Sequence, residues 1–335
     1  MERRTSIIDV ARRAGVAVGT VSNVLNRPDV VAPATRERVL AAIEELSFVR
    51  NGRARELRVG RISTVGAIVL DIRNPFFTDV ARGAEDRLAE DDYTLMLASS
   101  DDDPAREAKY LRLFEEHGVH GLLVVPSGPD LGPLLAIQRR GVRMVLLDAH
   151  STSPALSSVA VDDEAGGALA AAHLIAQGHG QIVFLNGPHT IRQCAGRRAG
   201  VNVAVRAAGL DPATAVREVT LGTLDAAGGD AAMHSLVAVD GAPPAAVFCV
   251  NDLVAVGVQR VLRRLGGTAL LSRTAVVGYD DIDIASELAV PLTSVRQPTR
   301  EMGAAAADLL LDEDRGVQHV VFQPELVVRS SSIVG

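Results

Sequence analysis

From Ile62 onward, short apolar segments alternate with stretches of helical periodicity. Short apolar strands that alternate with helices are typical of doubly wound parallel sheets, because a parallel crossover needs a helix between its strands. Two such groups are visible, at about 62–161 and 162–290, so we expect an α/β body with two lobes. The apolar segments include STVGAIVL, YTLMLAS, VHGLLVV, VRMVLLD, QIVFLNG, PAAVFCV and TAVVGYD.

Residues 5–48 have a different pattern, which predicts three short helices. Ser6 suits the N-cap of the first helix, with Asp9 three residues later as its capping-box partner, and Gly15 is expected to end it. A second helix is expected at about 18–25, and a third starts near Pro33, a favourable first-turn residue. The third helix is expected to bury Val39, Leu40, Ile43 and Leu46.

Charge is unevenly distributed along the chain. Residues 1–61 contain 12 arginines and seven acidic residues, a net charge of +5, whereas the rest of the chain carries −12. A basic head on an acidic body suggests that the head alone has a polyanion as its partner.

Other bulk features favour a cytoplasmic protein. Cys194 and Cys249 are isolated thiols, which fit neither a disulfide framework nor a zinc site, so a reducing compartment is expected. The first residues, MERRTSIIDVARR, lack the apolar region of a secretory signal, and no apolar run approaches membrane-spanning length.

The segment from Ile8 to Asn26 has the spacing of a helix-turn-helix motif. Its second helix would present its amino-terminal half to the major groove of DNA. There Asn can pair with adenine, Ser and Thr can bond several bases, and an apolar side chain can contact a thymine methyl group. An ordinary three-helix bundle is the alternative interpretation. The outward positions are Val18, Gly19, Thr20, Ser22 and Asn23.

Enzymatic functions find little support. The only lysine is Lys109, so P-loop and Schiff-base chemistry lack their residue, and the usual hydrolase, metalloprotease and dinucleotide-binding motifs are missing. We therefore expect neither an enzyme nor a cofactor. An exported sugar-binding protein is a further alternative, but it would need a signal peptide and would lack residues 5–48.

An ordered set of motifs resembles the lactose/galactose-repressor (LacI/GalR) family. The set opens with IxDVAxxAGVxxxTVSxVLN and TRERVLAAIEEL and continues downstream at family spacing. The resemblance implies a DNA-binding transcriptional repressor with a helix-turn-helix head and a two-lobed body of the periplasmic-binding-protein fold. The downstream motifs are Asn74–Phe77, Ala246–Leu253, Val277–Asp281 and Pro291–Gln297.

The resemblance also implies the domain boundaries. The head covers 1–50, a hinge covers 51–61, and the effector-binding body covers 62–335. Within the body, lobe 1 is expected to combine about 62–161 with a returning segment at 293–322, and lobe 2 to combine about 162–290 with 323–335.

The basic segment from Asn51 to Arg58 resembles the family's hinge helix, which folds on operator DNA. Leu57 stands where the family inserts a leucine wedge into the minor groove, and such wedges unstack a base step and kink the duplex. Arg53 and Arg55 would add positive charge near the phosphates. A disordered linker, with Leu57 as a stray apolar residue, is the alternative. Ser6, Asn26, Asn51 and Ala54 complete the candidate DNA contacts.

Three head positions depart from the family pattern. Ala17 and Ala32 stand where the family usually has serine, and losing such an N-cap costs about 1 kcal/mol. Asn23 stands where arginine is frequent, which puts guanine readout at that position in doubt.

Seven residues of the body match family ligand positions. Ligands of open α/β sheets bind at the carboxyl ends of the strands. Carboxylate, amide and guanidinium groups can hydrogen-bond vicinal hydroxyls, and an aromatic face suits a sugar ring or a base. Ala149 follows Asp148 where sugar-binding members often have arginine, which leaves the ligand class open. The candidates are Phe76, Phe77, Asp148, Arg197, Asn251, Asp280 and Gln297.

Several of these residues have a structural alternative. Phe77 could be a core residue, Asn251 and Asp280 could be helix caps, and Arg197 could be the ion-pair partner of a nearby acid. The expected assembly is a homodimer on palindromic operator DNA, controlled by a sugar-like effector. No heptad tail follows the last strand, so a coiled-coil tetramer is not expected.

Overall fold

The computed structural model describes residues 5–48, 63–151, 153–271, 273–312, 314 and 316–333. These residues fall into two compact units, one up to Ile62 and one from Ser63 onward. The first unit contains the predicted head, and the second contains the predicted body. The hinge candidates Asn51, Arg53, Ala54, Arg55 and Leu57 lie outside the described residues.

The head is a bundle of three α-helices. They are α1 (Ile7–Ala14), α2 (Val18–Asn26) and α3 (Pro33–Glu45), with a 3₁₀ turn at Pro28–Val30 between the last two. Ser6 and Asp9 form the predicted capping box, and Gly15 ends α1 in the left-handed region at φ 64°. The fully buried side chains of Val10, Val21 and Val39, one from each helix, form the centre of the core.

Two details of the head refine the sequence predictions. Neither Ala17 nor Ala32 makes a side-chain capping bond, because an alanine side chain has no hydrogen-bonding atom. The expected burial of Leu40 is wrong, since 49% of this residue is exposed. Leu40 follows Val39 in α3, and successive helical residues point about 100° apart, so only Val39 reaches the core.

The first lobe of the body is a six-stranded sheet in the order β11-β5-β4-β3-β1-β2, with every pair parallel. Chain order reverses on the two sides of β1, which pairs with both β2 and β3. The strands are β1 (Thr64–Val69), β2 (Thr94–Ser99), β3 (Gly121–Val124), β4 (Arg143–Leu147), β5 (Ser157–Val161) and β11 (His319–Phe322). The helices of this lobe are α4 (Pro75–Ala89), α5 (Pro104–His117), α6 (Gly132–Arg139) and α13 (Thr299–Leu311).

The second lobe is a six-stranded sheet in the order β12-β10-β9-β8-β6-β7, and of its described pairs only β10–β12 is antiparallel. Its strands are β6 (Ile182–Asn186), β7 (Val216–Thr220), β8 (Ala246–Cys249), β9 (Ala275–Asp280), β10 (Thr293–Arg296) and β12 (Glu325–Val327). Its helices are α7 (Asp163–Ala176), α8 (Arg192–Ala207), α9 (Pro212–Ala215), α10 (Ala226–Asp240), α11 (Asp252–Leu271) and α12 (Ile284–Glu287). Helix α11 is broken at Gly266 and Gly267, whose backbone angles are not helical. A second 3₁₀ turn, Ser330–Ser332, follows β12.

One predicted lobe boundary is wrong. The chain was expected to return to lobe 1 at about 293, but β10 pairs in parallel with β9 and therefore belongs to lobe 2. The return to lobe 1 comes with α13, which packs on α4 and on β4 and β5. The alternating residue pattern identifies 293–296 as an extended strand, but which of the two sheets this strand joins depends on its pairing partner.

Two glycines allow α7 and α8 to approach closely. A Cβ atom on Gly167 would lie 2.1 Å from the carbonyl oxygen of Arg197, and one on Gly200 would lie 1.9 Å from that of Glu164. Any larger residue at either position would therefore force the helix backbones apart. This contact places Asp163, at the start of α7, beside Arg197 in the first half of α8.

Among the described residues, no helix is long and apolar enough to cross a membrane.

Candidate functional site

A cavity of about 340 Å³ lies between the two lobes, at the carboxyl ends of strands from both sheets. The loop after β1 and the start of α4 contribute one side, and the ends of β8 and β9 contribute the other. This is the crevice in which open α/β sheets bind ligands. Six of the seven predicted effector residues line it: Phe76, Phe77, Asp148, Arg197, Asn251 and Asp280.

The seventh candidate, Gln297, lies behind the cavity wall. Its amide nitrogen donates to Oδ1 of Asp280 at 2.8 Å, and its amide oxygen is buried with no hydrogen-bond partner among the described residues. Gln297 therefore orients Asp280 and is not among the residues that line the cavity.

Asp280 is the last residue of β9 and is buried, with φ at 101°. Its Oδ2 accepts a 3.2 Å hydrogen bond from the amide of Asn74 in the other lobe. Burial raises the pKa of Asp280 to about 6, against the opposing charge of Arg197. The cap alternative fails for this residue, because α12 begins at Ile284, four residues later, and Asp283 holds its N-cap position.

Asp148 follows β4 directly and is also buried, with φ at 49°. The amide of Gln193, from the second lobe, donates to its backbone oxygen at 2.7 Å and to its Oδ2 at 2.8 Å. Burial, reinforced by the nearby charge of Asp163, raises the pKa of Asp148 to about 8. The buried environment of Asp148 therefore favours the protonated form of its carboxyl group.

Arg197 combines a position on the cavity wall with a structural ion pair. Its Nε donates to Oδ1 of Asp163 at 2.9 Å, and its Nη1 donates to the carbonyl oxygen of Val250 at 2.6 Å. The guanidinium carbon lies 3.5 Å from the ring centroid of Tyr279, a cation–π geometry. Burial disfavours the charged guanidinium, but its attraction to the carboxylate of Asp163 is the larger effect, so the pKa of Arg197 is raised. The ion-pair alternative for Arg197 thus describes a real contact, and the residue also faces the cavity.

The phenylalanine pair provides the apolar wall of the cavity. The rings of Phe76 and Phe77 meet edge to face, with centroids 5.0 Å apart and planes at 76°. Both residues are buried and belong to the core of the first lobe. Asn74 positions them, because its side chain caps α4 by accepting from the backbone nitrogen of Phe76 at 3.1 Å. The core alternative for Phe77 and a role in the cavity wall therefore hold together.

Asn251 is used as a helix cap. Its side-chain oxygen accepts from the backbone nitrogen of Val254 at 2.9 Å, and its amide donates to the carbonyl oxygen of Leu224 at 2.9 Å. Both polar groups are thus engaged within the second lobe, although the residue borders the cavity.

Three residues that sequence reasoning missed shape the site. Asn74 and Gln193 carry the hydrogen bonds that join the lobes, and Asp163 is the carboxylate that pairs with Arg197. The sequence offered a signal for Asn74, since Asn-Pro before a helix is a typical cap. Asp163 directly follows Asp162, which caps α7, so nothing in the local sequence distinguishes it from an ordinary first-turn acid.

The head presents a polar surface along α2. Val18, Gly19, Asn23 and Asn26 are exposed, and Thr20 and Ser22 are half-buried. Asn26 donates to the hydroxyl of Ser22 at 3.2 Å, and the hydroxyl of Ser6 is occupied by Asp9 in the capping box. The predicted outward positions thus share one accessible face of the second helix.

Within the described part of the chain, no group of His, Cys, Asp or Glu side chains could hold a metal ion.

Comparison with known proteins identifies both units. Residues 62–325 match the model for periplasmic binding proteins and the sugar binding domain of the LacI family, and residues 6–51 match the model for bacterial regulatory proteins of the lacI family. The HTH-type transcriptional repressor PurR of Photobacterium profundum is 34% identical over 331 residues, covering 97% of this chain and 98% of that protein. PurR of Aliivibrio fischeri is 33% identical over 334 residues, covering 97% of this chain and 98% of the relative.

Solved structures agree with this assignment. The transcriptional regulator CelR, solved in complex with cellobiose, is 33% identical to this chain, with a TM-score of 0.69. The match covers 98% of this chain and 100% of the CelR chain. The lac repressor dimer bound to operator and the anti-inducer ONPF is 25% identical to this chain, with a TM-score of 0.79. The match covers 99% of this chain and 100% of the lac repressor chain. The chain therefore belongs to the lacI family of bacterial regulatory proteins, and it is a DNA-binding transcriptional repressor under the control of a small-molecule effector.

Proposed function

We propose that the protein binds a palindromic operator as a homodimer in the cytoplasm and that a sugar or sugar derivative in the cleft sets its operator affinity. The observation that carries this proposal is the cleft itself, whose walls come from both lobes and whose polar side chains already bridge them. Among similar proteins, CelR was solved with cellobiose, and the lac repressor was solved as a dimer on operator.

The proposed DNA contacts come from α2. Asn23 and Asn26 can offer donors and acceptors to base edges, and Val18 can meet a thymine methyl group. Gly19 leaves room for close approach, because a Cβ atom at this position would meet no described atom within 4 Å. Two such heads related by a dimer axis would require two half-sites with the same symmetry.

The proposed effector contacts come from both lobes. Phe76 and Phe77 supply an apolar wall for a sugar ring, and Asp148, Arg197 and Asp280 supply hydrogen-bonding groups. A ligand that touches both lobes stabilises one lobe arrangement over another. If the operator-binding dimer prefers one arrangement, effector and operator affinities are coupled reciprocally.

The DNA arm of the proposal is tested by selecting binding sites from random duplexes with the full-length protein. A palindrome should emerge, and the logarithm of its affinity should fall linearly with the logarithm of salt concentration. Selection of an asymmetric site that holds a single head would contradict the proposal. The effector arm is tested by repeating the titration of the selected operator with a panel of mono- and disaccharides that includes cellobiose and ribose.

Leu57→Ala separates the hinge contribution from the effector contribution. Removing the proposed wedge should weaken operator binding and reduce DNA bending, while sugar binding measured by calorimetry stays at the parent level. Leu57→Asp should weaken operator binding further, because it adds repulsion from the phosphates. Parent-level operator affinity and bending in Leu57→Ala would contradict the hinge assignment.

A further inference from the structure

The walls of the effector cleft carry an excess of negative charge. Of the described residues, six carboxylates line the cavity, Asp71, Asp101, Asp102, Asp148, Asp225 and Asp280, against two guanidiniums, those of Arg73 and Arg197. A cleft lined by one sign of charge concentrates its field on whatever enters, because its low-dielectric walls screen poorly. The charge of the ligand is therefore a property that this cleft can select.

Both guanidiniums are already committed to carboxylates of the protein. Arg73 donates two hydrogen bonds to Asp71, from Nε to Oδ1 at 2.9 Å and from Nη2 to Oδ2 at 3.0 Å. Arg197 pairs with Asp163 at 2.9 Å in a buried contact. Only the Arg197–Asp163 pair is buried, and breaking a buried pair is strongly unfavourable, whereas the Arg73–Asp71 pair is exposed and contributes little.

Two carboxylates at the mouth of the cleft are favoured in their charged form, whereas burial raises the pKa of a third, Asp102. A hydrogen bond from the Ser99 hydroxyl lowers the pKa of Asp101. The backbone N–H of Gly228, at the start of α10, lowers the pKa of Asp225. Even with Asp102, Asp148 and Asp280 protonated, the three carboxylates of Asp71, Asp101 and Asp225 would face the two paired guanidiniums. The net charge of the lining stays negative in either state.

The inner wall matches an uncharged polyhydroxylated ligand. Phe76 and Phe77 offer apolar surface to the C–H face of a ring. Asp148 and Asp280 are held in place by amide donors, so their remaining lone pairs can accept from hydroxyl groups. Within the described lining, each of the two guanidiniums already pairs with a carboxylate of the protein.

Resting on the proposed function, we infer that the cleft selects its effector by charge, accepting an uncharged sugar and rejecting the phosphorylated form of the same sugar. The discrimination arises from like charges on the wall, so it applies wherever the phosphate is attached. Because these charges lie within the cleft, raising the salt concentration should reduce the discrimination only in part.

The inference is tested by calorimetry on the full-length protein with matched pairs from the sugar panel, such as cellobiose with cellobiose 6-phosphate and ribose with ribose 5-phosphate. The neutral member of the binding pair should bind at least about tenfold more tightly than its phosphate, because the lining keeps a net negative charge even though Asp71 pairs with Arg73 and Asp101 with Arg106. Equal or tighter binding of the phosphate would overturn the inference.

A double variant in the cleft and a matched control test whether the charges of the cleft wall cause the discrimination between neutral and phosphorylated sugars. Asp102→Asn with Asp225→Asn removes two of the carboxyl groups that line the cleft, and Asn can keep both the left-handed backbone of residue 102, at φ 56°, and the cap of α10. The ratio of neutral to phosphate affinity should fall about threefold or more. The matched control, Glu116→Gln with Asp240→Asn, removes two exposed charges at the far ends of helices α5 and α10 and should leave the ratio unchanged.

An unchanged ratio in the cleft variant would overturn the charge mechanism while leaving the proposed function intact. Failure of every neutral and phosphorylated sugar to bind would instead overturn the proposed sugar control, and this inference with it.

Discussion

Arg197 shows how one side chain can belong to a binding site and to the core of its lobe. Its guanidinium lies between Asp163, the carbonyl of Val250 and the ring of Tyr279, and one edge of it reaches the cavity. A ligand that bonds Arg197 would therefore find it fixed in position, with little rotamer entropy left to lose on binding.

Arg197→Ala is expected to lower the stability of the unliganded protein as well as effector affinity. The substitution strands the buried carboxylate of Asp163, and breaking a buried pair in this way costs about 3–5 kcal/mol. Urea unfolding of the unliganded protein measures the effect, and the double variant Arg197→Ala with Asp163→Ala should recover part of it. Parent-level stability of the single variant would show that the ion pair contributes nothing to folding.

Asp148 gives the unliganded body a pH dependence with a definite sign. Its pKa is raised from 3.8 to about 8, chiefly by burial, so the folded state keeps a proton that the unfolded state loses. Its stabilising contribution is fully present below the ordinary pKa and is lost as the pH rises toward about 8. Over that window, stability should fall by up to about 1.4 kcal/mol per pH unit for this one proton.

Asp148→Asn should flatten part of that slope, because asparagine cannot ionise and its oxygen can still accept from Gln193. Urea unfolding at about pH 5, 6, 7 and 8 provides the comparison. A variant whose stability falls with pH as steeply as that of the parent would show that Asp148 is not the group involved.

At the scale of elements, the closest helix contact sets the geometry of the cleft. Gly167 and Gly200 let α7 and α8 meet backbone to backbone, and this contact holds Asp163 against Arg197. Packing that tight leaves no volume for a methyl group, so the contact should respond to the smallest possible change in side chain.

Gly200→Ala is expected to destabilise the body by about 1–3 kcal/mol, because its Cβ would fall 1.9 Å from the carbonyl oxygen of Glu164. The helices would have to separate, and effector affinity should fall as Arg197 moves away from its partner. Val203→Ala, at an exposed position on the same helix, is the control and should change stability by less than about 0.5 kcal/mol. Equal stability of the Gly200→Ala protein and this control would contradict the close contact.

Element prediction from sequence succeeded for most strands that contain an apolar run, including the largely exposed β2, although the buried β5 was not among the named segments. Strands β1, β3, β4, β6, β8 and β9 are buried along most or all of their length, and each coincides with a predicted apolar segment. Strand β7 went unnoticed because it lies at the sheet edge, where Val216–Thr220 mixes charged and apolar residues. In β7 the apolar run that identifies a central strand is therefore missing.

Site prediction was limited in a different way. The polar residues at strand ends could be identified from their position, and six of the seven predicted residues line the cavity. The contacts of Gln193 and Asp163 depend on how two helices and two lobes pack, which no local pattern encodes. Arg197 was correctly placed in the site, but whether its charge was free or paired required the structure.

At the scale of the whole molecule, the cleft connects ligand binding to lobe arrangement. Two side-chain contacts join the lobes through candidate effector residues, Gln193 with Asp148 and Asn74 with Asp280. Arg192 adds bonds to the carbonyl oxygens of His150 at 3.0 Å and Pro129 at 2.9 Å. These bonds favour the lobe arrangement of this structure, which we call the closed arrangement, and a ligand that touches both lobes would add to them.

Gln193→Ala is expected to shift the unliganded protein away from the closed arrangement. Two hydrogen bonds to Asp148 disappear, each worth about 0.5–1.5 kcal/mol, so the binding-competent population falls and effector affinity falls by the same factor. The sign for DNA follows from linkage. We expect effector binding to favour the closed arrangement and the variant to disfavour it. The substitution should therefore change operator affinity, measured without effector, in the direction opposite to the change that the effector causes in the parent protein. Operator titrations of parent and variant, each with and without the active sugar, measure both effects, with Val203→Ala on the same helix as the control. A shift in the same direction as that caused by the effector would show that closure of this cleft is not what the operator senses.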